Sequence, residues 1–460
     1  MKKKKNVEND IENMQEDIQE NTNANNKRNR LLIAFGVTFM FIISWYYLFN
    51  ESSKKEKQYN QYIEYAHYYE KKELYKKANI YYSAAKEMNN SLDLQCEIAN
   101  MYYSWGKYYA YEDMIEEIIT NYKYSNKGYD LLLKYYYDDG NYSSCMSLIN
   151  TAKSRKVTSD YLTKVENELK YKFEYTYSSY PEVDDFFNNM CRVQDEDGKY
   201  GIVYSDGTMM LSCVYMQLSP FIDSESTPMT VDGTKYWFID KTGEAVDVAE
   251  LPEGTKIEEI GTYSEGLLPV KMNGKYCYTN TSFKKQFGDY EEAYAFNNGK
   301  AMVKDESGYY LIDNKGKKCS KKVYKEIKTD ELGYASRSGI YAVKTDDKFY
   351  LIDNNEKKIG SDEYDDARLM SSDEYMAVKK DDKWGFVDSK GKVVIKPQYV
   401  DAGSFSNGLA AVNIDGKWGY IDKSGKVVIE QQFDGAKNFS TGGSAFVLVE
   451  DKWQMIKLYR

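Results

Sequence analysis

The sequence predicts a multidomain fold: a single transmembrane helix, then an α-helical superhelix, then an all-β repeat domain that is β-propeller-like. Three observations lead to this prediction. Residues 31–49 contain no charged side chain, paired tyrosines recur every 34 residues, and a Lys-Trp-Gly hexamer with its variants occurs eight times. A chain of 460 residues is too long for one ordinary domain, so several parts are expected.

The composition argues against nucleic-acid binding and against a metal site. Lys and Arg number 62 against 72 Asp and Glu, which gives a formal net charge of −10, whereas nucleic-acid-binding proteins usually present a basic face. The six cysteines form no CxxC pair, so no zinc framework is visible and free thiols are expected. We therefore expect no nucleic-acid partner, no metal and no cofactor.

The apolar segment 31–49, "LLIAFGVTFMFIISWYYLF", is long enough to cross a bilayer, with Trp45, Tyr46 and Tyr47 at one interface. A cleaved signal peptide is the alternative interpretation. It would normally have a shorter apolar core and small residues before the cleavage site, and "SWYYLFNESS" offers a poor site. The segment is therefore predicted to be a membrane anchor.

Basic residues flank this anchor on both sides. Those at 27–30 and the run Lys2–Lys5 outweigh the lysines at 54–57, which predicts a cytoplasmic N-terminus and extracytoplasmic repeat domains in a single-pass protein of the cell membrane. Residues 1–30 are acidic, amide-rich and poor in apolar side chains, so a disordered cytoplasmic tail is expected. Residues 50–57 are predicted to be a charged linker.

Residues 58–172 show helical patterns with a fixed period. Tyrosine pairs begin at Tyr68, Tyr102 and Tyr136, each 34 residues after the last, and no proline occurs before Pro181. A period of this length in a helical sequence indicates paired helices stacked into a superhelix. A final capping helix is predicted within 159–172, with Ser159 as its N-cap.

The pattern resembles the tetratricopeptide repeat. In the first copy, the small and aromatic residues of that family occur at its usual spacings, and the second-helix positions of the later copies are shifted by one residue. The positions are Ala66 and Tyr69, then Ala78, Tyr82 and Ala85; Tyr111, Ile115 and Ile118; and Cys145, Ile149 and Ala152. Several of these residues are larger than the alanines of the family, which puts the usual helix packing angle in question.

The resemblance implies that the first helix of each pair lines a concave groove that binds peptides. Carried over position by position, the groove residues are His67, Glu70, Met101, Ser104, Tyr135 and Asp138. The competing interpretation is that each of them is an ordinary packing or solvated residue. His67 is the only histidine of the chain, so a catalytic pair with a second histidine is not available.

Residues 173–460 contain eight relatives of the hexamer "KWGFVD", at intervals between 33 and 40 residues. A catalytic signature would have no reason to occur eight times, so the hexamer is interpreted as a structural unit. The first aromatic residues of the copies are Tyr200, Tyr236, Tyr276, Tyr309, Phe349, Trp384, Trp418 and Trp453.

Each unit is predicted to have three strands and a connecting segment that could form a fourth. In the unit at 409–433, Asp415-Gly416 is a two-residue hairpin loop of the mirror-image type, as are the dipeptides at 197–198, 232–233 and 273–274. A second turn runs from Asp422 to Gly425. Such units cannot bury both faces alone, which favours three- to four-stranded blades of a propeller; an open, twisted β-array is the alternative.

The two ends of the β domain favour closure of the propeller. The last unit stops at Arg460, before its third strand, and the stretch "FEYTYSSY" (173–180) has strand character and could supply that strand. Trp384-Gly385 and Trp418-Gly419 give this domain its resemblance to the WG-repeat proteins, a bacterial family of β-repeats. That family is recognised by architecture more than by activity. Since few copies keep the glycine, it is predicted to serve local fit.

The leading functional hypothesis is a membrane-anchored, non-enzymatic scaffold of the bacterial cell envelope that binds a protein or peptide partner through its helical repeats. The alternative is a protein that binds envelope polysaccharide through exposed aromatic rings. The repeat tryptophans are interpreted as core, and Tyr263 and Tyr334 as better sugar platforms. The sequence shows no Ser-His-Asp set, Cys-His pair or phosphate-binding glycine loop, so no enzyme is expected.

Overall fold

A computed structural model describes residues 2–222, 225–249, 251, 254–370 and 375–460. The chain divides into two compact units, Met1–Lys164 and Val165–Arg460. The first unit is helical, and the second contains the β domain.

The first helix, α1 (Lys2–Lys71), runs without a break through the predicted anchor. The structure differs here from the disordered tail and the linker that the sequence suggests at 1–30 and 50–57. The physical reason is that Lys, Glu and Gln favour helices and that neither Pro nor Gly occurs before Gly36. The segment 31–49 leaves its described apolar side chains exposed, and the helix is long and apolar enough to cross a membrane, a test that a signal sequence also passes.

Shorter helices follow α1 as stacked pairs. In chain order they are α2 (Tyr75–Met88), α3 (Leu92–Ser104), α4 (Tyr108–Asn121), α5 (Asn126–Asp138), α6 (Tyr142–Ser154) and α7 (Asp160–Leu169). The second-helix positions predicted from the repeat are all buried, including Tyr111 and Ile115 of α4, where the family has smaller residues. The backbone N–H of Leu162 donates to Ser159 Oγ at 3.0 Å, which confirms the predicted N-cap of α7.

The strands of the β domain, within the described residues, form eight antiparallel sheets. The first strand and the strands of blades 1 to 4 are β1 (Phe173–Tyr180); β2 (Glu182–Val183), β3 (Met190–Gln194), β4 (Tyr200–Tyr204), β5 (Met209–Tyr215); β6 (Gln217–Leu218), β7 (Ser226–Thr230), β8 (Trp237–Asp240), β9 (Ala245–Val248); β10 (Ile257–Ile260), β11 (Leu268–Met272), β12 (Lys275–Thr279), β13 (Lys285–Tyr290); β14 (Glu292–Ala293), β15 (Lys300–Asp305) and β16 (Gly308–Asp313).

The strands of blades 5 to 8 are β17 (Glu326–Ile327), β18 (Ile340–Lys344), β19 (Phe349–Asp353), β20 (Lys358–Tyr364); β21 (Asp366–Ala367), β22 (Tyr375–Lys380), β23 (Lys383–Asp388), β24 (Val393–Tyr399); β25 (Asp401–Ala402), β26 (Leu409–Ile414), β27 (Lys417–Asp422), β28 (Val427–Phe433); β29 (Gly435–Ala436), β30 (Ser444–Val449) and β31 (Lys452–Leu458). The predicted connecting segment is therefore a short first strand. In blade 4 only isolated bridges stand where the others have a fourth strand.

The propeller closes through its last blade. The strand β1 pairs with β31, and the pairing begins at Phe173 and Leu458. The ring of Phe186 in blade 1 stacks on that of Phe446 in blade 8, with centroids 5.4 Å apart, so the two blades share one core. These contacts confirm that residues 173–180 complete the last blade, and they rule out an open array.

The hairpin turns follow the prediction only where the loop has two residues. At Asn273-Gly274 and Asp415-Gly416 both residues have positive φ, as the mirror-image turn requires. The prediction was wrong at 197–198 and 232–233, where only the glycine has positive φ. These loops are longer, since β3 ends at Gln194 and β4 begins at Tyr200, so the mirror-image turn is not needed.

The glycine of the Trp-Gly pair serves a close backbone approach. A Cβ at Gly385 would lie 2.6 Å from Pro397 N and 2.7 Å from Ile395 O of the neighbouring outer strand. The pairing shifts at this point, from Trp384 with Tyr399 to Phe386 with Ile395, and blades 1 and 7 show the same step beside Gly201 and Gly419. The glycine is therefore required by one form of β-bulge.

Candidate functional site

The candidate groove residues lie on α1, α3 and α5. His67 Nε2 is 3.0 Å from Glu97 Oε2, and both side chains are about half exposed. Glu70 accepts a hydrogen bond from the hydroxyl of buried Tyr82 at 2.7 Å, so its carboxylate supports the packing of α2. Met101 is completely buried in the helical core, and its side chain is therefore a packing residue with no surface to offer a ligand.

The remaining candidates lie at the carboxyl ends of α3 and α5. Ser104 and Asp138 are exposed, and Tyr135, which precedes Asp138 on α5, is half-buried. The ring of Tyr135 contacts those of Tyr103 and Tyr111, with centroid distances of 6.3 and 5.4 Å.

A cluster of tyrosines surrounds Tyr135, and we call Tyr103, Tyr108, Tyr111 and Tyr135 the tyrosine cluster. The ring of Tyr108 stacks on Tyr135 with centroids 6.1 Å apart and lies 5.7 Å from Tyr103. Tyr111 is buried beneath them, whereas Tyr103 is 42% exposed and Tyr108 49% exposed. The predicted groove contains only Tyr135 of this set, although the recurring tyrosine pairs did include Tyr103.

Carboxylates border the tyrosine cluster. Partial burial, together with the charges of Glu116, Asp113 and Asp139, raises the pKa of Glu112. Burial is the first cause that raises the pKa of Tyr135, and the charges of Glu112 and Asp139 add to it. The cluster is therefore an aromatic surface in a negative field.

In the β domain, a long loop of blade 5 occupies the centre. This central loop, residues 328–339, joins β17 to β18, whereas the equivalent loop of blade 7 covers only 403–408. Its Leu332 and Tyr334 are buried in one apolar cluster with residues from blades 2, 4 and 6. Tyr334 is therefore unavailable as a sugar platform, contrary to the interpretation from sequence.

The side chain of Glu331 ties the central loop to blades 1 and 8. Its carboxylate accepts from the backbone N–H of Asp185 and from Lys437 Nζ, the latter at 2.6 Å. Asp185 in turn accepts from the backbone and the amide of Asn438, at 3.0 and 2.8 Å. Burial, followed by the charge of Asp185, raises the pKa of Glu331 to about 7, against the opposing effect of Lys437.

The residue that follows the first strand of a blade covers the repeat aromatic ring in three blades. Each of these residues donates its backbone N–H to a carbonyl oxygen of the second strand of its own blade. The pairs are Lys328 over Phe349 (4.6 Å from Nζ to the ring centroid), Arg368 over Trp384 (4.9 Å from Cζ) and Lys437 over Trp453 (5.4 Å from Nζ). These are cation–π contacts.

Blade 7 has no cation at this position, and neither do blades 1 to 4, whose equivalent residues are Asp184, Ser219, Gly261 and Tyr294. Gly403 occupies the equivalent position and makes the same backbone hydrogen bond, to Ala411 O at 2.9 Å. Among the residues that the structure describes, no cation lies over the Trp418 ring, which is half-buried and lines a cavity of about 500 Å³. Trp384, in contrast, is buried, as its interpretation as a core residue requires.

The carboxylates of the "DEDG" run at 195–198 organise a turn. Asp195 Oδ1 accepts from the backbone N–H groups of Asp197 and Lys199, at 3.0 and 2.8 Å. Within the described ranges, no group of three or more His, Cys, Asp or Glu side chains is placed to hold a metal ion.

Eight four-stranded or three-stranded sheets form a ring that β1 closes through the last sheet. The C-terminal domain is therefore an eight-bladed β-propeller. The model of the WG containing repeat matches residues 255–276, 384–418 and 418–453, so the propeller contains WG repeats in these stretches. No curated protein matches the chain.

Solved propellers share the architecture at low identity. The computationally designed Ika8 protein is 11% identical over 62% of this chain and 98% of its own, with a TM-score of 0.40. BamB from Moraxella catarrhalis is 10% identical over 62% and 96%, with a TM-score of 0.37. The Dos1 propeller is 13% identical over 63% and 95%, with a TM-score of 0.39.

Proposed function

We propose that this chain is a membrane-anchored, non-enzymatic scaffold of the cell envelope whose helical unit binds a cationic peptide segment of a partner protein. The observation that supports this proposal most directly is the tyrosine cluster, because three of its rings remain partly exposed while carboxylates border them. Propellers are common platforms for protein binding, which is consistent with a scaffold.

The charge and the chemistry of the cluster select the partner. Exposed tyrosine rings attract Lys and Arg through the negative face of the ring, and each such contact contributes about 0.5–1 kcal/mol at an exposed site. The carboxylates of Glu112, Asp138 and Asp139 add long-range attraction for the same cations. An acidic peptide would meet repulsion on this surface.

The anchor places this surface at the membrane. Residues 31–49 would span the bilayer once, and the basic residues before them favour a cytoplasmic N-terminus with both repeat domains outside the cytoplasm. Accessibility of Lys57 to a membrane-impermeant amine reagent in intact cells would test this topology, since labelling only after lysis would place the repeats inside.

Selection of displayed twelve-residue peptides on the full-length protein in detergent tests the peptide site. The expected result is enrichment of peptides that carry Lys or Arg beside aromatic residues. The affinity of a selected synthetic peptide should fall about tenfold in a Tyr103→Ala/Tyr135→Ala double variant. Tyr124→Ala is the matched control, because Tyr124 is 72% exposed and makes no ring contact with the cluster.

Two outcomes would contradict the proposal. Enrichment of acidic or uncharged peptides would show that the negative field does not select the ligand. Equal affinity of the double variant and the Tyr124→Ala variant would show that the cluster does not form the binding surface.

A further inference from the structure

The cavity at the centre of the propeller has an uncovered aromatic wall. It is lined by residues of blades 1, 5, 6, 7 and 8, and its volume is about 500 Å³. Because Gly403 replaces the cation found in the neighbouring blades, the Trp418 ring is left free to contact a ligand. A side chain at this position would be crowded, since its Cβ would lie 2.9 Å from Asn438 Oδ1, closer than van der Waals contact allows.

The charged groups of the cavity are largely paired with one another. Arg368 Nη2 lies 3.2 Å from Asp401 Oδ1, and Lys437 Nζ lies 2.6 Å from Glu331 Oε2. Arg337, at the edge of the cavity, is paired with Asp330. A strongly charged ligand would have to break one of these pairs, whereas a neutral one would not.

Asn438 supplies a buried polar atom that no group of the described residues satisfies. Its amide nitrogen donates to Asp185 Oδ2, which fixes the orientation of the side chain. The Oδ1 atom of Asn438 is then left facing Gly403, buried and without a hydrogen-bond donor among the described residues. Because this atom is shielded from solvent, a ligand that carries a donor would reach it after a small shift of the Asn438 side chain.

These features together suit a sugar. A pyranose ring presents an apolar face that can lie on an indole, and each hydroxyl can donate to a carboxylate or to Asn438 Oδ1 while it accepts from a cation. We propose that the cavity binds a neutral pyranose unit of an oligosaccharide, with Trp418 as its platform. This site is independent of the helical unit, so its failure would leave the peptide proposal untouched.

The test is calorimetry and saturation-transfer NMR on the full-length protein, with maltotriose, cellotriose and chitotriose as probes. The protein is kept in a detergent without a sugar headgroup, because an alkyl glycoside would compete for the cavity. Trigalacturonic acid serves as the charged comparison. We expect at least one neutral trisaccharide to bind and trigalacturonic acid to bind at least tenfold more weakly.

The most informative variant is Gly403→Arg, which gives blade 7 the cation that blade 6 already carries over Trp384. Its Cβ would push aside the Asn438 amide, 2.9 Å away, and its guanidinium would cover Trp418, so it should abolish saccharide binding while the protein still unfolds cooperatively. Trp418→Leu should weaken binding about tenfold. Trp237→Leu, a tryptophan of blade 2 outside the cavity, is the matched control and should bind as the parent does.

Three results would overturn the inference. The first is no binding of any neutral trisaccharide to the folded parent protein. The second is stronger binding of trigalacturonic acid than of every neutral probe, which would assign the cavity to anions. The third is unchanged affinity in Gly403→Arg, which would place the sugar elsewhere on the protein.

Discussion

Phe173 pairs with Leu458, so the first and last strands of the β domain are neighbours in one sheet. The Phe173 ring also contacts Phe433 of blade 7, with centroids 6.0 Å apart, and Leu458 is buried in the same core. The closure of the ring therefore depends on a few apolar side chains at the two ends of the domain. Loss of one of these side chains should therefore lower the stability of the whole propeller.

Leu458→Ala should lower the free energy of unfolding of the β domain by about 2–4 kcal/mol, because it leaves a cavity in the closing core. Urea unfolding followed by tryptophan fluorescence would measure the change. Tyr177→Ala, in the partner strand β1, is the control, since Tyr177 is fully exposed and its loss should cost less than about 0.5 kcal/mol. Equal effects of the two substitutions would argue against closure through this sheet.

The closure could be predicted from sequence because it follows from a repeat pattern. The eight hexamers, the unfinished last unit and the strand-like stretch at 173–180 are all visible in the printed chain. The role of the central loop could not be predicted from sequence. Its Glu331 contacts Asp185 and Lys437, which lie more than a hundred residues away on either side. Only the three-dimensional ring brings these residues together.

The candidate sites, too, were predicted from the sequence only in part. The helical period led to His67, Glu70 and Tyr135, but it could not separate surface from core at Met101, because a shift of a third of a turn changes the face. In the propeller, the sequence does not single out Gly403, because the residue after the first strand varies between blades. It is a cation in blades 5, 6 and 8 and Asp184, Ser219, Gly261 or Tyr294 in blades 1 to 4.

Gly385→Ala should destabilise the propeller by about 2–4 kcal/mol, because the new Cβ would collide with backbone atoms of the outer strand that cannot turn away. The same substitution at Gly403 is the matched control. There the Cβ would meet only Asn438 Oδ1, at 2.9 Å, and a small shift of that amide at some cost to its hydrogen bond with Asp185 would relieve the contact, so the loss should be smaller. A larger loss at Gly403 than at Gly385 in urea unfolding would contradict this account of the Trp-Gly pair.

Asp451→Gly should stabilise the last blade by about 0.5 kcal/mol. The hairpin between β30 and β31 places Glu450 and Asp451 at φ values of 50° and 65°, a region where glycine has no steric cost. Glycine already occupies this position at Gly416 in blade 7. The reverse change, Gly416→Asp, should destabilise by a similar amount, and the same sign for both substitutions in thermal unfolding would refute the turn argument.

The stability of the propeller should fall as the pH rises from about 4.5 to about 7, because of Glu331. Its folded-state pKa of about 7 lies above the ordinary value of 4.5, so the folded protein holds this proton more tightly than the unfolded chain. The contribution is complete below the unfolded pKa and is lost as the pH passes through the folded pKa. We expect a loss on the order of 1 kcal/mol, reduced because the side chain is 34% exposed and paired with Lys437.

Glu331→Gln should remove this part of the pH dependence. Below pH 4.5 the variant and the parent should unfold at similar urea concentrations, since both side chains are then neutral; near pH 7 and above, the variant should be the more stable. Glu196→Gln is the control, because Glu196 forms an exposed pair with Lys452. Its loss should leave the change in unfolding free energy between pH 4.5 and pH 7 the same as in the parent. A constant difference between Glu331→Gln and the parent from pH 4 to pH 8 would show that Glu331 is already ionised throughout this range. The central loop would then be held to blades 1 and 8 by a permanent ion pair with no bound proton.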